Sequence, residues 1–447
     1  MKIVLPNKVL MIILNLQMHG YDAYAVGGCV RDSILAKKPQ DWDITTSAKP
    51  AEIKRMFRRT VDTGIEHGTV TVLLGKDSFE VTTYRIDGVY EDNRHPKEVR
   101  FTNNLEEDLK RRDFTINAMA YNEKAGLVDL FGGMEDIRRG IVRCVGDPLE
   151  RFGEDALRIL RAIRFSAQLG YKIDNETKEG IRKLASSLRN ISAERIQAEL
   201  VKLITSSHPD DLRTAYELGV TKVFFPEFDV AMGTEQNHPH HMYNVGEHTL
   251  HSLNYVEPDK NLRLVMLLHD IGKPVTLTTD EDGVTHFHGH PVASEEIAED
   301  FLRRLKFDND TIHKVCKLVL YHDYGNSVEP DMRIVRRAIN KIGEDAFPAL
   351  FDIKRADVLA QSDYMRQEKI ELIDRWQELY RQVREQNQCV SLKDLAVNGS
   401  DLIKAGWKPG KELGMVLQKL LDLVLEEPRC NTAEILLAEA EKYKEKP

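Results

Sequence analysis

The sequence predicts an α+β head followed by helical domains, and three observations carry this. Strand-like and helix-like stretches alternate over residues 1 to about 140. From about residue 145, apolar residues recur at helical spacing, most clearly over Glu154–Leu169. A stretch rich in Pro, Gly and His at 226–240 interrupts that pattern and reads as a linker.

Each element follows in order. Lys8–His19 has the spacing of an amphipathic helix. Tyr24–Val26 reads as a strand, Arg31–Ala36 as a helix and Trp42–Thr45 as a strand. Thr69–Leu74 and Phe79–Arg85 alternate like a pair of strands that share a short mixed sheet. The chain is helical over 145–225, again from His241 to about 385, where most histidines lie, and again from Ser391 onward. The expected domains are a head at 1–142, a helical neck at 143–228, a histidine-bearing domain at 229–385 and a helical tail at 386–447.

The 447 residues can bury several cores. The longest apolar runs, such as Val9–Leu14, are far too short to span a bilayer, and the N-terminus lacks signal-peptide architecture. Five scattered cysteines without CxxC spacing point to a reducing cytoplasm and away from a zinc–cysteine or disulfide framework. A net charge of −9 means that any RNA contact must come from local basic surfaces.

The densest chemistry lies in Ala25–Asp32, Ala-Val-Gly-Gly-Cys-Val-Arg-Asp, with Asp41-Trp-Asp43 close behind. Gly27 and Gly28 let backbone approach a triphosphate, and Arg31 can pair with it. On a strand, Asp41 and Asp43 would face the same way and hold hard metal ions against phosphate oxygens. Glu80 is the candidate third carboxylate. Taken singly, the glycine pair fits a turn, the Asp pair a solvated loop and Glu80 an exposed strand position. Order and combination separate the two readings.

Two further motifs extend the site. In Arg111-Arg112-Asp113-Phe-Thr-Ile-Asn117, Asp113 can accept from sugar hydroxyls and Arg112 can pair with phosphate or ribose oxygens. A helix cap with an ion pair is the alternative there. In Glu154-Asp155-Ala-Leu-Arg158, a helix would put Asp155 and Arg158 on one face. An Asp acceptor beside an Arg donor matches the edge shared by cytosine and adenine. Uracil and guanine would leave groups unpaired, at about 1–3 kcal/mol. An ordinary salt-bridged helix face is the alternative.

In this order, the motifs resemble the class II tRNA nucleotidyltransferases, the family of CCA-adding enzymes and bacterial poly(A) polymerases. Ser192–Leu200 resembles the helical motif that buttresses the family's nucleotide-binding helix. The resemblance implies a DNA-polymerase-β-like head, a helical neck, and transfer of CTP or ATP to a tRNA 3′ end with Mg²⁺. By carry-over it assigns metal binding to Asp41 and Asp43 and makes Asp155 and Arg158 an amino-acid template for the base; Glu80 is the candidate catalytic carboxylate beside the Asp pair. The candidate nucleotide-binding residues are Gly27, Gly28, Arg31, Arg112, Asp113, Asn117, Asp155, Arg158, Arg161 and Arg164. Asp87–Phe101 resembles the loop of enzymes that add the final A, so full CCA addition or A-only addition is expected. Poly(A) polymerase is the weaker alternative, because the tail is not basic.

The second half carries another set: His248, His269-Asp270, His290, His322 and Asp357. Imidazoles and carboxylates from separate helices can build an open metal site. The order resembles the HD phosphohydrolase superfamily. That implies a divalent metal of unspecified identity and phosphatase or 2′,3′-cyclic phosphodiesterase activity on RNA ends, or retention for RNA binding or assembly. A chain that is chiefly such a phosphohydrolase is a further alternative. His241 is expected near this site. Lys404, Lys408, Lys411 and Lys419 are candidates for tRNA elbow phosphates; lysines that merely solvate a helical hairpin are the alternative.

Overall fold

The computed structural model describes residues 2–88 and 99–444. Residues 89–98, most of the loop singled out above, lie outside that range. The chain divides into two units, Met1–Asp229 and Val230–Pro447.

The first unit holds a seven-stranded mixed sheet. Its strands are β1 (Ala23–Val26), β2 (Ile44–Thr46), β3 (Thr60–Gly64), β4 (Thr69–Leu74) and β5 (Asp77–Thr83). A separate ribbon of β6 (Arg85–Asp87) and β7 (Val99–Phe101) follows. β8 (Met119–Asn122) and β9 (Gly126–Asp129) complete the sheet, whose order is β3-β4-β5-β2-β1-β8-β9. The predicted strand pair is the β4–β5 hairpin, with Val70, Val72 and Val81 fully buried. Each such valine contributes roughly 1.5–3 kcal/mol. The helix Asn7–Met18 buries Val9, Ile12, Ile13 and Leu16, the i, i+3, i+4, i+7 stripe, and packs on β1.

One register positions the site. β2 runs parallel to β5 with Ile44 opposite Val81. Asp43 and Glu80, each one residue earlier, therefore arrive side by side.

Three local expectations need correction. The strand expected at Trp42–Thr45 is Ile44–Thr46, so Asp41 and Asp43 sit in the segment leading into β2. Its partner β1 ends at Val26, where Gly27 turns away with φ 84°; Val26 N still donates to Asp43 O at 3.0 Å. The helix expected over Glu154–Leu169 is broken: one helix is Pro148–Glu154, the next Leu157–Leu169, and Asp155 between them is extended (φ −140°, ψ 102°). The linker expected at 226–240 begins with a helix, Pro226–Met232, because Phe228 is fully buried.

The second unit is nearly all helical. Its C-terminal helices Gly399–Lys404, Lys411–Glu426 and Ala433–Lys442 enclose a core around Leu402, Leu420, Val424 and Leu436. Arg336 donates to the carbonyls of Leu425 (2.8 Å) and Glu426 (3.2 Å), satisfying the end of one of these helices. Among the described residues, no helix is long and apolar enough to cross a membrane.

Candidate active site and candidate metal centre

Gly27 opens the first site. Its backbone (φ 84°, ψ −133°) suits glycine alone, and an added Cβ would stand 3.1 Å from Arg112 Nη1. The turn and Arg112 thus share one wall, and Gly28 starts the helix Gly28–Ile34. Among the described residues, buried Arg112 Nε meets no hydrogen-bond partner.

The carboxylates Asp41, Asp43 and Glu80 face solvent. Desolvation raises the Asp43 carboxyl pKa, Arg112 pulls it down, and Asp41 pushes it up again. Glu80 is raised by desolvation and then by Asp43 and Asp41. Carboxylates gathered this closely in an open site are a donor set suited to a hard cation.

Of the predicted nucleotide-binding residues, Arg31, Asn117, Asp113 and Arg161 form one hydrogen-bonded lattice. Arg31 donates to Asn117 Oδ1 at 2.6 Å and to Asp32 Oδ1 at 2.9 and 2.8 Å. Asn117 donates to Asp113 Oδ1 at 3.3 Å, and Arg161 grips Asp113 Oδ2 at 2.8 and 2.6 Å. Burial alone would raise Asp113, but Arg161 outweighs it and holds the carboxyl at about 2. The oxygens of Asp113 therefore face protein donors here rather than open space.

Asp155 and Arg158, expected on one helix face, straddle the helix break instead. Asp155 accepts from Arg195 Nη2 at 2.8 Å and Leu157 N at 3.1 Å. Arg158 pairs with Glu154 at 2.5 Å and donates to the carbonyls of Arg151 and Arg111, both at 3.0 Å. The helix Ala193–Ile204 does buttress Leu157–Leu169: besides Arg195–Asp155, Glu199 accepts from Arg164 Nε at 2.5 Å.

Sequence reasoning missed three participants. Phe165 lies under the guanidiniums of Arg31, Arg161 and Arg164, at 5.0, 5.4 and 3.9 Å from its centroid. Asp108, fully buried, accepts from Thr45 Oγ1 at 2.9 Å and Arg111 Nη2 at 2.7 Å and lies 3.6 Å from Arg112, tying β2 to the arginine pair. Arg195, four residues before Glu199, was legible only as part of a motif.

The second unit brings all six predicted histidines and aspartates together. His248 comes from the helix Val245–Leu253 and His269-Asp270 from the end of Lys260–Leu268. His290 begins the helix His290–Arg304, His322 ends Asn309–Tyr321, and Asp357 lies on Ala349–Leu359. Asp270 joins two groups. Its Oδ2 lies 3.4 Å from His248 Nε2 and 3.3 Å from His269 Nε2; its Oδ1 lies 3.4 Å from His290 Nε2 and 3.7 Å from His322 Nε2. Asp357 Oδ1 is 2.9 Å from His248 Nε2.

The imidazole tautomers follow from the backbone. Each Nδ1 contacts a main-chain carbonyl: Ala360 for His248, Met266 for His269, Phe287 for His290 and Val319 for His322. A carbonyl only accepts, so each Nδ1 carries a proton, and in the neutral ring this leaves the Nε2 lone pair for a cation. These Nε2 atoms meet in pairs, His248 with His269 at 3.3 Å and His290 with His322 at 3.2 Å. Facing lone pairs beside two buried carboxylates suit divalent cations. Among the described residues, none gives buried Asp270 Oδ2 a hydrogen bond of regular geometry, although Lys273 Nζ is 2.7 Å away. His241 sits at the edge of this cluster, its ring 5.8 Å from that of His248, and burial drives its pKa down to about 2.

Of the tail lysines, Lys419 covers the Tyr443 ring at 4.6 Å and Lys404 lies 3.5 Å from Asp401.

Three family models match: the Poly A polymerase head domain over 23–143, the "probable RNA and SrmB-binding site of polymerase A" over 170–232, and tRNA nucleotidyltransferase domain 2 over 275–440. The CCA-adding enzyme of Levilactobacillus brevis is 38% identical over 413 residues, covering 92% of this chain and 91% of that protein. The chain belongs to the CCA-adding enzymes. The CCA-adding enzyme of Lactobacillus helveticus is 35% identical, covering 98% of this chain and 96% of that one. Among solved structures, the Bacillus stearothermophilus CCA-adding enzyme in complex with CTP superposes with a TM-score of 0.72 at 29% identity, covering 97% of this chain and 96% of that one. The Thermotoga maritima enzyme complexed with tRNA shares the fold at 21% identity and a TM-score of 0.62, covering 99% of this chain and 97% of that one. CCA-adding enzymes are nucleotidyltransferases, and nucleotidyltransferases of this kind use divalent metals.

Proposed function

We propose that the first unit adds CCA to tRNA 3′ ends from CTP and ATP without a nucleic-acid template. The observation that carries this is the juxtaposition of Asp43 with Glu80 across β2 and β5, at the edge of the arginine lattice. The terminal 3′-hydroxyl attacks the α-phosphorus, and pyrophosphate leaves. Mg²⁺, held by Asp41 and Asp43 with Glu80 adjacent, would neutralise charge on the phosphoryl oxygens and activate the hydroxyl. The Gly27–Gly28 turn lets backbone N–H groups reach the triphosphate, and Arg112 and Arg31 supply positive charge along it.

Asp155 and Arg158 read the base edge. Arg195 and Leu157 N occupy part of the Asp155 carboxylate, and its remaining lone pairs can accept from an exocyclic amine. Arg161 and Arg164 hold the wall behind through Asp113, Glu199 and Phe165. The tail lysines are the proposed contacts for tRNA phosphates.

Asp41→Ala and Asp43→Ala test the assignment. Either should lower incorporation of labelled CTP by roughly a thousandfold or more. Because both side chains face solvent, stability should change by about 0.5 kcal/mol at most. Full incorporation in either variant would remove that residue from the metal site.

A second reading has its own observation, the paired Nε2 atoms around Asp270. We propose that the second unit is an HD-type metal-dependent phosphohydrolase acting on phosphate esters at RNA ends. His248, His269, Asp270 and Asp357 would hold one cation, and Asp270, His290 and His322 a second.

A further inference from the structure

We propose that Asp108 is a positioning residue for nucleotidyl transfer: its buried carboxylate holds the strand that follows Asp43 and the guanidinium of Arg112 in one fixed relation, so that the metal-binding carboxylates and the positive charge along the triphosphate stay aligned. This rests on the reading of Asp41 and Asp43 as metal ligands given above.

Asp108 lies on the short helix Leu105–Lys110, which Asn104 opens by accepting from Glu106 N at 2.9 Å. The next residue, Leu109, is fully buried in one cluster with Val26 of β1 and Ala120 of β8. That packing seats the helix against the strand end from which the Gly27 turn departs.

The Asp108 side chain has no exposed surface. Its Oδ1 accepts from Arg111 Nε at 2.9 Å and Nη2 at 2.7 Å. Its Oδ2 accepts from Thr45 Oγ1 at 2.9 Å and lies 3.6 Å from Arg112 Nη2. Burial pushes the carboxyl pKa up, but Arg111 and Arg112 outweigh it and hold the group below its ordinary value. Thr45 stands on β2 two residues after Asp43 and opposite Thr82, which stands two residues after Glu80. A fixed Thr45 therefore fixes the approach of Asp43 to Glu80. On the other side, Arg112 stands against the Gly27 turn and opposes the rise that burial imposes on the Asp43 carboxyl.

Stability alone does not explain a charge here. A buried ion pair is often no more stable than apolar side chains of the same volume, and Leu109 already anchors the helix. The charge count does explain it. Arg111 and Arg112 share one carboxylate, which leaves one net positive charge beside Asp43. Arg111 makes both of its bonds to Oδ1, whereas Arg112, at 3.6 Å, is aimed by charge without using a donor on Asp108. Thr45 Oγ1 also reaches Thr82 O, at a longer 3.3 Å.

The test uses the full chain, with CTP incorporation into tRNA that ends before CCA and CTP binding by calorimetry in Mg²⁺ without tRNA. Thr45→Val keeps the side-chain shape and removes the hydroxyl. It should lower kcat about tenfold and raise the half-saturating Mg²⁺ several-fold, with CTP affinity within about twofold of the wild type. Thr45→Ser should recover most of kcat. Asp108→Asn should lower kcat and also weaken CTP binding about tenfold, because Arg112 loses its counter-charge. In the double variant kcat should match that of Asp108→Asn, since the hydroxyl acts through that carboxylate. Multiplied losses in the double variant, unchanged CTP affinity in Asp108→Asn, or wild-type kcat and Mg²⁺ requirement in Thr45→Val would each overturn the positioning role. Should Asp108→Asn not fold by circular dichroism, Thr45→Val and Thr45→Ser decide it alone. Asp43→Ala separates the two readings. Full incorporation there overturns the metal assignment; an inactive Asp43→Ala beside an unaffected Thr45→Val overturns only the role of Asp108.

Discussion

Arg195 Nη2 donates to Asp155 Oδ2 at 2.8 Å across 40 residues of chain, and this bond holds Asp155 at the break between two helices. A carboxylate at such a break is not aimed by its own helix. Its aim comes from the neighbouring helix Ala193–Ile204.

Arg195→Ala should therefore loosen nucleotide selection more than it slows correct addition. We expect kcat/KM for CTP and ATP relative to UTP and GTP to fall about tenfold, the scale of one charge-assisted hydrogen bond. Arg195→Lys should recover part of the loss, since a point charge replaces a planar donor. Single-nucleotide extension with each NTP measures this. Unchanged ratios in Arg195→Ala would detach Asp155 from base choice.

Asp113 links the site to stability. Its carboxyl sits at about 2 in the folded protein because Arg161 overrides the cost of burial; an unfolded aspartate titrates near ~3.9. A folded value below the unfolded one means that this contribution is complete above about pH 4 and disappears as pH falls toward about 2. It amounts to about 2.6 kcal/mol. Asp113→Asn should flatten the fall in stability across that window, followed by denaturant unfolding at stepped pH. An unchanged slope would mean that Arg161 does not stabilise the charged form.

The convergence of motifs was readable because each motif carries its chemistry within a few residues: Gly27-Gly28, Asp41 with Asp43, His269-Asp270. What brings them together was not. The parallel pairing of β2 with β5 depends on a crossover, and only that register puts Glu80 beside Asp43. The break at Asp155 was hidden because Phe152, Ala156, Ile159 and Ile163 keep helical spacing across it while the partner that pulls Asp155 out lies on another helix. Phe165 read as one more apolar helix residue; its place among three guanidiniums depends on elements far apart in sequence. The six metal-site residues were legible as a set, whereas the shared role of Asp270 between two histidine pairs needed geometry.

That shared role predicts unequal losses. Asp270→Asn should remove both cations, because both groups use its oxygens. His322→Ala should remove one. Chelation should lower the unfolding temperature of the wild type, since a cation at a hundred times its Kd stabilises by about 2.7 kcal/mol, and should leave that of Asp270→Asn unchanged. Elemental analysis after dialysis, with thermal scans, reads both. Equal stoichiometry in the two variants would contradict a bridging Asp270.

The most direct test of the central claim uses purified full-length protein, Mg²⁺ and three tRNAs that end before CCA, after C and after CC. Each receives CTP, ATP or both, with products resolved to one nucleotide. Completion of all three to a single CCA end, then arrest, is the expected result. Extension of only the CC-ended tRNA, or an open-ended ladder of A, would contradict it.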